Sequence, residues 1–255
     1  MFVWAADLHF NSARTSPFQF GSSLAQRFPN AKGLILTGDI SVSHRVASDL
    51  KDLHFGFGKP IYFVLGNHDY WDSSFRSADN LVREIHNDIL YLQSDFPVDL
   101  GNSVQMVGVS GWYDAGYGEP GEVLMEDFYR IADLKKDPVA ASRKRAEFMA
   151  AKLVSKIEFA LSTGCEKLVI VTHIPPFEAL AKEADHLAWY GSKVLGDCIL
   201  KHAPSFKEVL VLCGHTHFAQ KYVIGNILAY SGEAKRVLPV LAGTFDEATF
   251  SVSPI

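Results

Sequence analysis

The sequence predicts an α/β protein, because brief apolar runs typical of buried strands alternate with stretches of helical spacing. Five runs are rich in β-branched or large apolar residues, and a turn with Asp, Gly or His follows each: 2–6, 34–36, 61–65, 168–171 and 209–213. The 255-residue chain is 48% hydrophobic and 21% charged, as expected of a soluble globular protein that can bury a large core.

Apolar residues at helical spacing predict two helices between these runs. One is expected to include Phe75 and to continue to Ile89, and a longer one starts after Pro138 and stops before Gly164. Further strands are expected at 104–109 and 222–230, with a hairpin turn at Gly225-Asn226. Since no repeat or linker is visible, we expect one domain over residues 1–255.

The segment 111–137 departs from this regular pattern. It combines aromatic residues and glycines with seven acids against three bases, which gives a local charge of about −4. We interpret it as an insertion or lid, in which Trp112, Tyr113 or Tyr117 could cover a flat group of a substrate.

Five clusters of polar residues follow the five apolar runs in order: Asp7-Leu8-His9, Gly38-Asp39, Gly66-Asn67-His68-Asp69, His173 and Gly214-His215-Thr216-His217. In open α/β sheets, binding sites form beyond the carboxyl ends of the strands, where all five clusters would lie. Together they offer three carboxylates, one amide and five imidazoles. This mixture of oxygen and nitrogen ligands without thiolate suits Mn, Fe or Zn, with Co or Ni as alternatives.

Each cluster alone has a simpler explanation. Asp-x-His is usually a turn or a cap, and a single histidine such as His173 at a strand end is more often hydrogen-bonded than a ligand. Gly-His-Thr-His is the most specific cluster, because two imidazoles at the end of an apolar strand are costly to bury without a partner. The joint occurrence of all five favours a metal site.

In this order, the five clusters resemble those of the calcineurin-like metallophosphoesterase superfamily, over most of the chain from Asp7 to His217. The resemblance implies a single-domain four-layer sandwich, with two facing mixed β-sheets flanked by α-helices. It also implies two divalent or trivalent metal ions and a bridging hydroxide that attacks a phosphate mono- or diester. It assigns three ligands to one metal, three to the other and one to both: Asp7, His9 and His217; Asn67, His173 and His215; and Asp39.

The resemblance gives His68 a place facing the substrate, where it would steady a phosphate oxygen or protonate the leaving group. Asp69 is expected to orient a neighbouring histidine. Protein phosphatases of the superfamily carry an acid three residues beyond the bridging aspartate, and this chain has Val42 there. His68 therefore lacks that partner, and His44 is an alternative phosphate contact.

The leading hypothesis is a phosphatase or phosphodiesterase that acts on a small-molecule phosphate ester. The net charge of −5 argues against a general nucleic-acid surface. A nuclease remains an alternative because the long helix carries basic residues, namely Arg143, Lys144, Arg145, Lys152 and Lys156. A third alternative is a non-catalytic scaffold, although scaffolds of this fold typically lose histidine ligands.

The sequence contains no apolar stretch near the roughly 18 residues that cross a membrane. Its three cysteines, Cys165, Cys198 and Cys213, show no paired spacing, which is typical of thiols in a reducing compartment. We therefore expect a cytoplasmic protein without membrane partners. The sequence does not define the oligomeric state.

Overall fold

Two six-stranded β-sheets form the centre of the molecule. The computed structural model describes residues 1–83, 85, 88–94, 96–122, 125–181, 186–235 and 237–255. The strands in chain order are β1 (Phe2–Ala5), β2 (Leu34–Thr37), β3 (Ile61–Val64), β4 (Ile89–Tyr91), β5 (Val98–Gly101), β6 (Val104–Gly108), β7 (Lys167–Val171), β8 (Glu208–Cys213), β9 (Gln220–Ile224), β10 (Ile227–Ser231), β11 (Gly243–Asp246) and β12 (Ser251–Pro254).

Both sheets are mixed. The first has the order β12-β11-β1-β2-β3-β4, and the second has the order β5-β6-β7-β8-β10-β9. Strands β1 to β4 are parallel, as are β6, β7, β8 and β10, while the remaining strands pair in antiparallel fashion. The five apolar runs of the sequence form β1, β2, β3, β7 and β8, so their carboxyl ends lie near one another.

The helices cover the outer faces of the sheets. They are α1 (Pro17–Arg27), α2 (Ser43–Phe57), α3 (Phe75–Val82), α4 (Asp127–Arg130), α5 (Pro138–Ser162) and α6 (Lys193–His202). Strand alternation separates the buried residues into three layers. On β1, Val3 packs towards α1 and α2, whereas Trp4 packs between the sheets. On β7, Ile170 packs towards α5 and α6. The predicted α/β fold, with two mixed sheets flanked by helices, is confirmed.

Local sequence signals explain where several helices start and stop. Ser16 begins α1 with a capping box, in which its hydroxyl accepts from the N–H of Gln19. Asp137 caps α5, which Pro138 opens. The predicted long helix therefore has the expected bounds, and the predicted hairpin forms from β9 and β10.

The other predicted helix is shorter than expected. Helix α3 ends at Val82, and Ile89 belongs to β4, where it pairs with Ile61 in a parallel register. Spacing alone allowed Ile89 to continue the helix, but pairing with a distant strand determines its conformation. His86, which the sequence places on the same helix, lies outside the described residues.

The segment 111–137 contributes side chains to the core. Trp112 and Tyr113 are 1% and 0% exposed, so the expectation that they cover a substrate is wrong: both rings are used for packing. Asp114 is also buried and accepts the Val194 N–H at 2.8 Å, at the start of α6. Tyr117 donates its hydroxyl to the Pro176 carbonyl. A lid role for the rest of the segment stays a prediction. Among the helices of the described residues, none is long and apolar enough to span a membrane.

Candidate metal centre

All seven predicted metal ligands meet at the carboxyl ends of five strands. The turn after β1 carries two, the turns after β2, β3 and β7 carry one each, and the turn after β8 carries two: Asp7 and His9; Asp39; Asn67; His173; and His215 and His217. The structure therefore brings together residues that are separated by up to 210 positions. They form two adjacent groups.

The first group consists of Asp7, His9, Asp39 and His217, whose ligand atoms all lie within 4.8 Å of one another. The Nε2 atoms of His9 and His217 are 3.2 Å apart. A carboxylate oxygen lies 3.8 Å from each of these nitrogens, from Asp39 and Asp7 respectively. Carboxylates and imidazoles at these separations fit a divalent cation.

The second group brings the amide oxygen of Asn67 next to one ring nitrogen of each of two histidines. Asn67 Oδ1 lies 2.9 Å from His173 Nε2 and 3.0 Å from His215 Nδ1. The opposite ring nitrogens face backbone carbonyls, with His173 Nδ1 2.8 Å from Thr37 O and His215 Nε2 3.0 Å from Trp189 O. Each ring nitrogen therefore faces an oxygen that only accepts, and a neutral imidazole can donate to one of its two oxygens. In the tautomer with the protons on the outer nitrogens, the inner nitrogens are bare and converge with the amide oxygen, an arrangement that a cation would stabilise.

Asp39 lies between the two groups. Its Oδ2 faces His9, and its Oδ1 lies 3.4 Å from His173 Nε2. The backbone N–H of His68 donates to Oδ1 at 2.9 Å and fixes the carboxylate. One oxygen is therefore directed at each group, which is the geometry that a shared ligand requires.

The backbone of these turns is unusual. Five of the seven candidate ligands have φ between 45° and 72°, in the left-handed region: Asp7, His9, Asp39, His215 and His217. Such conformations cluster at functional sites, where the surrounding structure holds them.

Two glycines of the sequence clusters make room for ligands. A Cβ atom on Gly66 would lie 2.1 Å from Asp39 Oδ1, and one on Gly214 would lie 2.6 Å from Asp7 Oδ2. The Gly-Asn-His-Asp and Gly-His-Thr-His clusters therefore begin with glycine for lack of space.

Burial shifts the protonation of the whole site. It raises the pKa of Asp7 to about 8, and it lowers the pKa of His9 to about 3 and that of His215 to about 4. Burial likewise raises the pKa of Asp39 well above its usual value. The cause is the loss of water around each charged form. Bound cations would reverse the effect on the carboxylates, because they favour the ionised form.

His68 lies at the exposed side of the site, next to the first group. Its Nε2 is 3.7 Å from Asp39 Oδ2, and its side chain is 26% exposed. Val42 is buried at the start of α2 and offers no acid. His68 stacks instead on Trp71, with ring centroids 3.6 Å apart, and Arg130 lies over the Trp71 ring. Because burial holds the pKa of His68 well below its usual value, the ring is neutral.

Asp69 has a different role from the expected one. Its oxygens accept the backbone N–H groups of Ser41 at 2.7 Å, Gly66 at 2.9 Å and Ile40 at 3.2 Å. It therefore ties the turn after β2 to the turn after β3, rather than orienting a histidine. His44 is exposed in the first turn of α2, and its contact with phosphate stays a prediction.

Sequence reasoning missed two residues beside the site, Trp71 and Asp127. Asp127 is 1% exposed and accepts the Trp71 indole N–H at 2.6 Å and the Tyr113 hydroxyl at 2.9 Å. Burial raises the pKa of Asp127, and the hydrogen bonds from Trp71, Asn67 and Tyr113 oppose that rise. The adjacency of Trp71 to the Gly-Asn-His-Asp cluster was the only available signal.

Comparison with known proteins supports the same reading of the fold. The chain is similar to phosphopantetheinyl hydrolase from Mycobacterium tuberculosis, with 16% identity and a TM-score of 0.70, over 92% of this chain and 89% of that one. It is also similar to a dimetal phosphatase from Danio rerio, with 15% identity and a TM-score of 0.57, over 91% and 86% of the two chains. At these low sequence identities, the similarity to these structures establishes the fold alone.

Among curated proteins, none matches this sequence. The model of the calcineurin-like phosphoesterase family, however, matches residues 2–219, which include every candidate ligand. The chain therefore belongs to the calcineurin-like phosphoesterase family.

Proposed function

We propose that this protein is a two-metal phosphoesterase that hydrolyses a phosphate mono- or diester of a small molecule. The observation that carries the proposal is the second group, where Asn67 Oδ1 lies 2.9 Å from a ring nitrogen of His173 and 3.0 Å from one of His215. With the histidine protons on the outer nitrogens, these three atoms repel one another, and a cation among them removes the repulsion.

The ligand sets differ in chemistry. Asp7, His9 and His217 would hold one metal ion and Asn67, His173 and His215 the other, with Asp39 shared. Imidazole, carboxylate and amide ligands without thiolate fit Mn, Fe or Zn, and also Co or Ni. When bound, the two ions would supply an activated water as a hydroxide and neutralise charge on the phosphoryl oxygens.

His68 has the position of a substrate-facing residue. Its ring is part-exposed beside Asp39 and is held by stacking on Trp71. As a neutral imidazole, it can donate one N–H to a phosphate oxygen or to the leaving group. We assign it that role.

The exposure of the ligands supports a substrate that reaches the site from one side. The side chains of His9, His68 and His217 are 17%, 26% and 45% exposed, whereas Asp39 and His173 are each 1% exposed. A phosphate group would therefore meet the three exposed histidines first.

The basic residues of α5 give little support to a nuclease. Arg145 is 8% exposed and pairs with Asp79 at 3.2 Å, and Arg143 donates to the Asp114 carbonyl. Two of the five bases that suggested a nucleic-acid surface are thus engaged within the protein. A cytoplasmic location also remains part of the proposal. It rests on the free thiols of Cys165, Cys198 and Cys213.

The test is an assay of the purified protein with added Mn²⁺, Fe²⁺ or Zn²⁺ on p-nitrophenyl phosphate, bis-p-nitrophenyl phosphate and cyclic nucleotides. We expect turnover that EDTA abolishes and that metal restores. His217→Asn should remove it, whereas His202→Gln, at the end of α6, should not. Absence of metal-dependent turnover on every substrate would contradict the proposal, and salt-sensitive cleavage of DNA or RNA alone would favour the nuclease.

A further inference from the structure

The segment 111–137 is joined to the metal centre through one buried acid. Asn67 Nδ2 lies 3.1 Å from both carboxylate oxygens of Asp127. An amide NH₂ that faces two carboxylate oxygens must have its own oxygen on the opposite side. That side is where His173 Nε2 and His215 Nδ1 lie.

We infer that Asp127 is a positioning residue, which turns Asn67 Oδ1 towards the second metal and fixes Trp71 against His68. The inference rests on the proposed function, because it assumes that the second group holds a cation.

The alternative orientation of Asn67 shows why the acid is needed. If the amide rotated by half a turn, its NH₂ would donate to the inner nitrogens of His173 and His215 in the tautomer whose protons lie on the outer nitrogens. The site would then be satisfied by hydrogen bonds alone and would lose a ligand. The rotated form would also place the amide oxygen against the two Asp127 oxygens, which already accept from Trp71 and Tyr113, and such a contact between acceptors is unfavourable.

Trp71 binds the same carboxylate as Asn67 does. Its indole N–H donates to Asp127 Oδ1 at 2.6 Å, and its ring stacks on the ring of His68 with a centroid distance of 3.6 Å. Since indole nitrogen only donates, this bond requires an acceptor at Asp127. One buried carboxylate therefore orients a metal ligand and the ring that packs on the substrate-facing histidine.

The backbone around Asp127 is held firmly enough to position other residues. The N–H of Asp72 donates to Arg130 O and the N–H of Ala132 to Ser73 O, each at 2.9 Å. The Arg130 guanidinium also pairs with the Asp72 carboxylate. Residues 127–132 are thus bound to residues 72–73, directly after the Asn67 turn. A support of this kind preserves ligand geometry better than a loop that moves freely.

The experiment compares metal affinity in the wild type, Asp127→Asn and Tyr113→Phe. Asparagine keeps the shape but presents an NH₂ group to Asn67, so the amide of Asn67 loses its preferred orientation. Tyr113→Phe is the matched control, because it removes another hydrogen bond to Asp127 and leaves the Asn67 contact in place. Thermal unfolding establishes that each variant is folded.

Calorimetric titration with Mn²⁺ should show two binding steps in the wild type. In Asp127→Asn, the affinity of one step should fall about 10- to 100-fold, as is usual when a partner of a ligand is lost. The other step should not change, and Mn²⁺ electron paramagnetic resonance should show an isolated ion instead of a coupled pair. A general loss of structure would weaken both steps. Tyr113→Phe should behave as the wild type.

Wild-type affinity for both ions in Asp127→Asn would overturn the inference and leave the proposed function intact. No Mn²⁺ binding by the wild type would instead overturn the proposed function, and the inference with it. Should Asp127→Asn not fold, a crystal structure of the Mn²⁺-loaded wild type decides. Asn67 Oδ1 on the metal with Nδ2 on Asp127 supports the inference, and Asp127 itself on the metal refutes it.

Discussion

Gly66→Ala is predicted to displace the bridging carboxylate without removing any ligand. The new Cβ atom would lie 2.1 Å from Asp39 Oδ1, 2.4 Å from Asp39 N and 2.7 Å from His173 Cε1. Gly66 is not among the glycines with positive φ, so alanine can adopt its backbone conformation. The effect of the substitution is therefore steric.

The distances set the size of the effect. Ordinary van der Waals contact begins at 3.4 Å, so Asp39 or the turn at Gly66 must move by about 1 Å. A misplacement of that size reduces turnover about 100-fold when it affects catalytic geometry. Overpacking of a buried position also lowers the free energy of unfolding by about 1–3 kcal/mol. For a chain of this size, that corresponds to a few degrees in Tm.

The assay is kcat on an aryl phosphate at saturating Mn²⁺, together with metal content and Tm. Gly118→Ala is the matched control, because its Cβ would meet its nearest neighbour, Ala188 N, at an ordinary 3.4 Å. We expect that control to change the free energy of unfolding by less than about 1 kcal/mol and to keep full activity. Wild-type turnover in Gly66→Ala would refute the packing argument and the position assigned to Asp39.

Three further predictions concern the same site. Asp39→Asn should lower kcat by at least about 1,000-fold and reduce the metal content, because the side chain directed at both groups loses its charge. An unchanged kcat with an unchanged metal content would exclude the bridging role. His68→Ala should keep two metal ions per chain but slow turnover by about 10²- to 10⁴-fold, and loss of metal would instead make His68 a ligand. In the metal-free protein, burial raises the pKa of Asp7 to about 8 and that of Asp69 to about 7, from 3.8. Above pH 3.8 the folded protein therefore keeps protons on Asp7 and Asp69 that the unfolded chain has released, so the free energy of unfolding falls as pH rises. The buried histidines, whose pKa values are lowered, have the opposite effect on the free energy of unfolding, but only below about pH 6.5. Urea unfolding should therefore show a loss of about 1.4 kcal/mol per pH unit for each retained proton between about pH 6.5 and 8. Mn²⁺ should abolish this loss, and a rise in stability over that range would contradict the shifts.

The strands and the set of candidate ligands could be predicted from the sequence because their signals are local. An apolar run and the polar residues that end it are adjacent in the chain, as at Ala5, Ala6 and Asp7. Pro138, which favours a helix start, and Gly164, which favours a helix end, likewise predicted the bounds of α5. The glycines before Asn67 and before His215 were visible, although only the structure shows which atoms they leave room for.

What could not be predicted depends on contacts between distant residues. Ile89 is a strand residue because it pairs with Ile61, and apolar spacing does not report that pairing. Asp127 resembles any acid in a charged segment, yet it lies against Asn67, 60 positions away. Trp112 was expected in a lid rather than in the core, because its neighbours in sequence are acids and glycines, and its burial shows that this expectation was wrong. The proton positions of His173 also depend on a carbonyl in another strand.

The left-handed backbone at Asp7, His9, Asp39, His215 and His217 determines how the site can be dissected by mutagenesis. Alanine at such a position adds a backbone cost of about 1 kcal/mol or more to the loss of the side chain. Glycine and asparagine adopt this conformation more readily. An alanine scan would therefore confuse chemical defects with misfolded turns, and replacement by asparagine or glycine separates the two.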